Sequence, residues 1–446
     1  MKKIAIIITI SCFFFVSCGK HESEDIFDTN ILLELSESKK SKPKHRAKNI
    51  QKIEEQNTEN IQNLDDQDPE TLMSNAIARF TLNQRKNLNA LALELGLKVS
   101  ENAEAFFDAV EAGDWDAISN MYNSLELMSG RRYVSSNFYG KMDIDETLNS
   151  PLWPIIFETY YGLKMTREWG PELSSKLTKS FFENINDNSV ALNASAAMRL
   201  ICNIFQNNSS ENNISLINYY ALCDKTYLDY ASFNERQNQS SVELPDNIEF
   251  EKVFADYVKK LNKQKVNGKI TISDVKGVME LNGNLVKTIW KKNPAKNFYI
   301  EENYVLPWMN DYLEPSGMIM KLGHEKTELT SEIINKNNNY WNNLIDSLNQ
   351  SGEIFTKNEE AKRTFANSRA AIARFYEARG YLYDAESAFL QAIELCPSEL
   401  KSTKNLSNVY LKQNRIDDAL KIAMEFKKKN PDNKKADILI NKIKKN

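Results

Sequence analysis

Two successive stretches share one pattern of residues: ANSRAAIARFYEARGYLYDAESAFLQAIELCPSE (366–399) and LKSTKNLSNVYLKQNRIDDALKIAMEFKKKNPDN (400–433). They agree at an offset of 34 residues, a period typical of repeated helix pairs. The matched pairs are Ile372 with Leu406, Tyr376 with Tyr410, Ala385 with Ala419, and Pro397 with Pro431. Small alanines let two helices approach closely, tyrosines fill the space between helices, and prolines end the second helix. The period therefore predicts two helical hairpins.

The repeat resembles the tetratricopeptide-repeat family. Gly380, Phe389 and Ala392 also stand in the first unit where the family has these residue types. The second unit departs from the pattern, with Asn414 in place of the turn glycine and Phe426 in place of the alanine. The resemblance implies an all-α array that binds a peptide or protein on its concave helix face.

Two units bury little apolar surface alone, because each unit covers its neighbour's exposed face. The helical pattern over Ile333–Leu348 predicts an upstream packing surface, and Ala436–Ile443 predicts a capping helix, so we assign residues 331–446 to this region. The polar positions expected to contact a partner lie on the first helix of the second unit: Lys404, Asn405, Asn408 and Lys412. The alternative is that the repeats only brace the preceding domain.

Upstream of the repeats, residues 151–330 alternate helical patterns with short apolar runs, which favours an α/β domain with a small, largely parallel sheet. The predicted strands are Ser189–Leu192, Ile214–Leu222, Phe298–Ile300 and Gly317–Leu322. Residues 75–150 are predicted to be helical, with a hairpin over Ser100–Leu127 that turns at Gly113. The predicted fold is thus a mostly helical α/β middle domain followed by an all-α array.

Residues 151–171 are rich in aromatic side chains and proline, including Trp153, Phe157, Tyr160 and Trp169. Such a density of rings is typical of a packed core between layers of a domain. A second interpretation is that these rings line a glycan-binding platform.

The first residues resemble a bacterial lipoprotein signal. In order, they are Lys2-Lys3, the apolar run Ile4–Val16, and Ser17-Cys18-Gly19. The resemblance implies a signal peptide over 1–17, acylation of Cys18, and outer-membrane sorting in a source with two membranes, because Gly19 rather than Asp follows. The polar segment 18–74 is predicted to be a disordered tether at the cell envelope. The alternative is an ordinary cleaved secretory signal.

The formal net charge of −4 and the pI near 5.8 give no global basic field, which argues against a nucleic-acid partner. Outside the N-terminal segment only Cys202, Cys223 and Cys396 remain, without the spacing of a metal site. A disulfide between Cys202 and Cys223 and buried free thiols are both compatible with the sequence.

The sequence contains no phosphate-binding, zinc-protease, nucleophile-elbow or CxxC motif, so we predict no enzyme activity, cofactor or metal. His324 is the only histidine beyond the tether, and a Ser–His or Cys–His site would need it. Its alternative role is a polar loop residue. Glu301 and Glu302 could form an acid/base pair, but neighbours on a strand point to opposite faces.

Residues from about 85 to 433 are also loosely similar to an uncharacterised bacterial envelope family. The α/β part of that family is distantly similar to soluble portions of membrane glycosyltransferase-like proteins. Where it has a loop with Gly and Asp after a strand, this chain has Asn193–Arg199, of which only Arg199 fits. Missing glycines prevent the close backbone approach that a phosphate or sugar needs, so the resemblance implies a degenerate site.

The sequence therefore predicts a non-enzymatic lipoprotein whose repeats bind a protein or peptide at the cell envelope. The alternative is a glycan-related enzyme or sugar-binding protein that uses the α/β domain. A pocket with converging carboxylates and Trp faces would favour that alternative.

Overall fold

The computed structural model describes residues 68–129, 148, 150–193, 195–206, 214–238, 240–263, 275–302 and 307–445. The predicted signal, Cys18 and most of the predicted tether lie outside these residues. The described chain is mostly helical and contains a small sheet of five strands. Among the described helices, none combines the length and apolar content that a bilayer span requires.

Three helices come first: α1 (Pro69–Leu95), α2 (Glu101–Ala112) and α3 (Trp115–Ser129). α1 begins inside the predicted tether, because the Asp68 carboxylate accepts hydrogen bonds from two backbone N–H groups of its first turn, with proline at the first position. The hairpin predicted for α2 and α3 is confirmed. Ser100 caps α2, and Gly113 ends it with a φ of +67°.

The next group of elements alternates helices with strands. It contains α4 (Trp153–Phe182), β1 (Ser189–Asn193), α5 (Ala196–Gln206), β2 (Ile214–Asn218), α6 (Lys225–Gln237), α7 (Asn247–Lys263), α8 (Val275–Lys292), β3 (Asn297–Ile300), β4 (Leu313–Ser316) and β5 (Ile319–Leu322). Short 3-10 helices lie at Tyr219–Ala221 and Pro307–Tyr312. The predicted strand Ile214–Leu222 therefore ends early, at Asn218.

The sheet is mixed, which corrects the prediction of a parallel sheet. Its strand order is β2-β1-β3-β5-β4, with β1 parallel to β2 and β3, and β5 antiparallel to β3 and β4. Only Gly317 and Met318 join β4 to β5, and so short a connection permits antiparallel pairing alone. β4 is absent from the predicted strands because it contains Pro315, which an edge strand tolerates.

The remaining described elements are all helices. They are α9 (Ser331–Gln350), α10 (Glu353–Lys357), α11 (Glu359–Ala378), α12 (Leu382–Leu395), α13 (Leu400–Lys412), α14 (Ile416–Lys429) and α15 (Lys434–Ile443). α11 packs against α12, α13 against α14, and α14 against α15. The corners after α11 and α13 place Gly380 at φ +85° and Asn414 at φ +59°. This arrangement is compatible with a helical array.

The α/β elements and the helices that follow share an apolar core. One buried cluster joins Phe298 and Ile300 of β3 with Ile372 and Tyr376 of α11 and continues to Ile443 of α15. The aromatic stretch 151–171 belongs to this interior as well. Its larger rings are almost fully buried: Trp153, Phe157, Tyr160 and Trp169.

Hydrogen bonds also fasten the helices to the sheet side. The Arg379 guanidinium donates to the carbonyl oxygens of Asn310 and Thr327, at 2.7 and 2.9 Å. The Tyr381 hydroxyl donates to the carbonyl oxygen of Leu329. The side chains of Asn337 and Trp341 in α9 both donate to the Gly317 carbonyl at the β4–β5 corner, with nitrogen–oxygen distances of 3.0 and 3.1 Å. The hairpin of α11 and α12 and the helix α9 are therefore fixed to the α/β part.

Candidate functional site

The carboxyl ends of the three parallel strands meet at one edge of the sheet. β1 lies between β2 and β3, so the chain leaves β1 on one side to reach β2 and returns on the other side as β3. In open α/β sheets such a reversal point is the place where ligands bind. The residues at this edge are Asn193 and Asn218 at the ends of β1 and β2, and Glu301 and Glu302 just after β3.

Glu301 serves the local structure of this edge. Its side chain is buried, and its Oε2 accepts a hydrogen bond from the backbone N–H of Ser195 at 2.9 Å. Ser195 immediately precedes α5, and its hydroxyl accepts from the N–H of Met198. A carboxylate at the start of a helix interacts favourably with its free N–H groups and dipole. Glu301 therefore stabilises the beginning of α5.

Glu302 contacts different neighbours, as the alternation along a strand predicts. Its Oε1 lies 2.5 Å from Nη2 of Arg374 in α11 and 3.5 Å from Nζ of Lys401 in α13. Burial alone would raise the pKa of Glu302, but Arg374 and Lys401 outweigh it and hold that pKa below its ordinary value. The sheet edge is thus joined by ion pairs to the first helices of both hairpins, and the two carboxylates do not form an acid/base pair.

Beside Glu302, α13 presents a polar face that we call the α13 stripe: Lys401, Asn405, Asn408 and Lys412. These residues recur at intervals of four, three and four, which places them on one side of a helix. Lys412 Nζ lies 2.7 Å from a carboxylate oxygen of Glu377 in α11. Ion pairs therefore hold both ends of the stripe.

The predicted partner residues lie on the α13 stripe or at its border. Asn405, Asn408 and Lys412 belong to it, and Lys404 lies one turn before Asn408. Lys404, Asn408 and Lys412 are exposed, and Asn405 is half-buried. Within the described chain, the side chains of Lys404, Asn405 and Asn408 make no hydrogen bond or ion pair. They remain available to bind a partner.

Hydrogen-bonding atoms without a partner among the described residues lie at this sheet edge and beside it. Asn193 is only 1 % exposed, and its buried Oδ1 accepts no hydrogen bond from the described residues. Nε and Nη1 of Arg374 are likewise buried and donate to no atom of the described residues. Buried polar atoms are nearly always paired in folded proteins, so each exception needs an explanation. Within the described residues, Arg374 therefore keeps two unused donors and Asn193 one unused acceptor.

His324 does not lie at this edge. Leu322 pairs with Phe298 near the start of β3, which places His324 at the opposite end of that strand. The imidazole stacks on Trp290 with centroids 5.0 Å apart, and its Nε2 is buried without a partner. Trp308 and Tyr312 complete the aromatic cluster around Trp290. His324 therefore lies in the loop after β5, where it packs among rings, and it is not beside the carboxylates.

Arg199, the residue that fits the loosely similar family, is part of the interior. It forms an ion pair with Glu158 of α4, and the Tyr230 hydroxyl of α6 donates to the second oxygen of Glu158 at 2.8 Å. Burial would lower the pKa of Arg199, but Glu158 reverses the shift and raises it. The pair links α4, α5 and α6, and Arg199 is only 3 % exposed. The charged Glu158 within the apolar run WPIIFETYY is the signal in the sequence that points to this pair.

A second buried carboxylate was not anticipated from the sequence. Glu235, near the end of α6, accepts a hydrogen bond from the Ser215 hydroxyl of β2. Ser240 lies beside Ser215, with their hydroxyl oxygens 3.1 Å apart. Burial raises the pKa of Glu235 despite the opposing influence of both serines and Lys296. This cluster lies at the amino end of β2, away from the α13 stripe.

The cysteines and a cleft between α1 and α2 do not belong to the stripe. Cys202, Cys223 and Cys396 are buried, and no disulfide joins them within the described residues. Burial raises the pKa of Cys202, which disfavours the reactive thiolate. The described residues include no group of three His, Cys, Asp or Glu side chains suited to a metal. A cleft of about 570 Å³ between α1 and α2 is lined by apolar and acidic residues, among them Leu93 and Asp108.

Comparisons with protein-family models, curated proteins and solved structures found no match to this chain.

Proposed function

We propose that this protein is a non-enzymatic, lipid-anchored envelope protein with tetratricopeptide-type repeats, and that its α13 stripe binds a protein partner. The observation that carries the proposal is the state of the polar side chains on α13. Ion pairs occupy Lys401 and Lys412 at the two ends, whereas Lys404, Asn405 and Asn408 are free between them.

The chemistry of these side chains favours an extended acidic segment as the partner. Each asparagine amide offers donors and an acceptor, which match the N–H and C=O groups of a peptide backbone. Lys404 adds an unpaired positive charge that attracts carboxylates. Glu302 and Glu377 already hold Lys401 and Lys412, so these two side chains lose little freedom when a partner binds.

The predicted anchor would increase the efficiency of binding. A flexible tether of about 55 residues has a root-mean-square reach of roughly 40 Å. A partner in the same membrane would then meet the stripe at a high effective concentration, so even a weak contact would be occupied.

The experiment compares partner capture by the wild-type chain and two variants. The chain is used as bait in detergent-solubilised envelope, captured proteins are identified by mass spectrometry, and the affinity of each purified candidate is measured. We expect Lys404→Glu/Asn408→Asp to lower the affinity for the specific partner at least about tenfold, which corresponds to about 1.4 kcal/mol of binding free energy. The matched control, Lys252→Glu/Asn284→Asp, makes the same charge changes at exposed positions elsewhere. Equal affinity of all three chains would contradict the proposal.

Sugar binding is a second candidate, and one observation favours it. One aromatic cluster contains three buried nitrogen atoms that have no hydrogen-bond partner among the described residues. They are the indole nitrogens of Trp290 and Trp308 and the Nε2 of His324. Rings and free donors are groups that contact sugars. The candidate ranks second because these rings stack on each other and so cover part of the faces that a sugar would need.

A further inference from the structure

Unpaired positive charge is concentrated on the last two described helices. Within the described chain, eight lysine side chains of this segment make no hydrogen bond or ion pair: Lys421, Lys428, Lys429, Lys434, Lys435, Lys442, Lys444 and Lys445. The acidic residues of this segment are Asp417, Asp418, Glu425, Asp432 and Asp437. Asp418 already pairs with Arg415 and Asp437 with Lys427, each at 2.7 Å. The whole chain has a net charge of −4, so this excess of cations is a local feature.

α15 directs part of this charge away from the core. Its buried residues Ala436, Leu439 and Ile443 belong to one side, which packs on α14. An exposed side of α15 presents Lys435, Ile438 and Lys442; together with Lys445 just beyond the end of the helix, we call these residues the α15 outer face. These residues recur at intervals of three, four and three, and all are exposed. Ile438 is 67 % exposed among the lysines.

We propose that the α15 outer face docks on a membrane surface that carries anionic phospholipid. Lysines on an amphipathic helix around an apolar side chain are suited to this surface, because the ammonium groups meet lipid phosphates while the apolar group enters the interface. Residues 416–446 contain no arginine, tryptophan or tyrosine, the types that dominate protein hot spots. Lysine, by contrast, is depleted at protein interfaces.

The lysines favour a diffuse anionic surface over a defined phosphate site. Lysine is a flexible point charge, whereas precise phosphate recognition uses the planar fork of arginine. The exposed Ile438 favours lipid over nucleic acid, since an apolar side chain gains little beside a phosphate backbone. Each lysine that reaches an anionic bilayer adds about fivefold in affinity, within a screening length of about 10 Å.

This contact is independent of the proposed partner site and of the predicted acyl group. Should Cys18 be acylated, the α15 outer face would be a second attachment to the same membrane, and stable anchoring commonly takes two signals. The folded part would then lie against the bilayer instead of moving freely at the end of a tether.

The test measures co-sedimentation with vesicles. It uses the chain from Gly19 onward, so that the predicted signal cannot enter the bilayer. Vesicles contain phosphatidylcholine, either alone or with about one third phosphatidylglycerol. We expect binding to the anionic vesicles at low salt, little at high salt, and none to pure phosphatidylcholine. Lys435→Glu/Lys442→Glu/Lys445→Glu should retain less than a tenth of the wild-type affinity. Ile438→Ser, which leaves the charge unchanged, should lower the affinity for anionic vesicles severalfold.

The control variant is Lys252→Glu/Lys291→Glu/Lys336→Glu, which has the same net charge and changes exposed lysines elsewhere. It should bind within about threefold of the wild type, and thermal unfolding should show that all variants fold. An equal loss for both triple variants, or wild-type binding by the α15 variant, would overturn the proposal. Binding to an acidic protein or nucleic acid without vesicle binding would also overturn it. The stripe variant Lys404→Glu/Asn408→Asp separates the two proposals, since it should keep most of its vesicle binding.

Discussion

Glu235 shows how the environment of one residue sets its chemistry. The side chain is 5 % exposed, and burial raises its pKa above the ordinary value of 4.5. Ser215 and Ser240 oppose that shift through hydrogen bonds, and Lys296 opposes it through its charge. A carboxyl with a raised pKa keeps its proton in the folded chain over a pH range where the unfolded chain has lost it.

This difference predicts a pH-dependent effect of Glu235→Gln. As pH rises above about 4.5, the folded wild type is progressively penalised for ionising a buried group, whereas glutamine is not. Near pH 4 the two chains should have similar free energies of unfolding. Towards pH 7 the variant should become the more stable one. Urea unfolding across this pH range measures the difference, with the exposed Glu251→Gln as control. A constant difference at all pH values would contradict the assignment.

Single residues also mark where sequence reasoning stops. The predicted partner residues were selected by their polarity on a helical face. Within the described residues, the side chains of three of them make no hydrogen bond or ion pair, and their binding to a partner stays a prediction. Arg374 and Glu302 could not be paired in advance, because their contact depends on how α11 packs against the sheet edge. The buried pair of Glu158 and Arg199 depends in the same way on the packing of α4 against α5.

At the level of elements, the two hairpin corners illustrate what the repeat period encodes. Gly380 and Asn414 occupy equivalent places after α11 and α13, and both have positive φ. A β-carbon added at Gly380 would have no atom within 4 Å. The left-handed backbone alone therefore restricts the residue types that this corner accepts.

We accordingly expect Gly380→Ala to lower the free energy of unfolding by about 1 kcal/mol. Gly380→Asn should lower it less, because asparagine tolerates the left-handed region and already occupies the second corner. Chemical denaturation of the three chains measures the order. If alanine and asparagine cost the same amount, the backbone conformation is not the cause.

Elements with a clear period were predictable from the sequence, and elements fixed by tertiary contacts were not. The pair α2–α3 and the repeat helices follow apolar patterns, and the side chains of Ser100 and Asn358 cap α2 and α11. β4 reads as a loop because Leu-Glu-Pro-Ser lacks strand character, and its pairing with β5 makes it a strand. The orientation of the last two strands follows from the corner at Gly317. The side chains of Asn337 and Trp341 in α9 donate hydrogen bonds to the carbonyl of Gly317.

At the scale of the whole molecule, the α/β part and the hairpins form a continuous interior. The candidate site combines a sheet edge with α11 and α13, which are far apart in sequence, so only the tertiary fold could reveal it. The shared cluster around Phe298 and Tyr376 leaves no apolar boundary at which the chain could be divided. The hairpins therefore contribute to the stability of the sheet.

This continuity predicts the behaviour of truncated chains. A chain that stops at Asn358 lacks Arg379 and Tyr381 and leaves Phe298 and Ile300 without their cover. We expect it to lose cooperative thermal unfolding and to bind a hydrophobic dye. A chain that stops at Asn433 lacks only α15 and should keep one transition at a lower Tm. Cooperative unfolding of the shorter chain would show that the two parts are independent.

Three hydrogen bonds between the two parts have an asymmetric chemistry. Arg379 and Tyr381 donate from side chains, whereas Asn310, Thr327 and Leu329 accept through backbone carbonyls. Every amino acid carries that carbonyl, so mutation can replace the accepting residues without removing the acceptor. The donors have no such freedom. Over evolutionary time Asn310, Thr327 and Leu329 are thus free to change in sequence, while Arg379 and Tyr381 remain under selection.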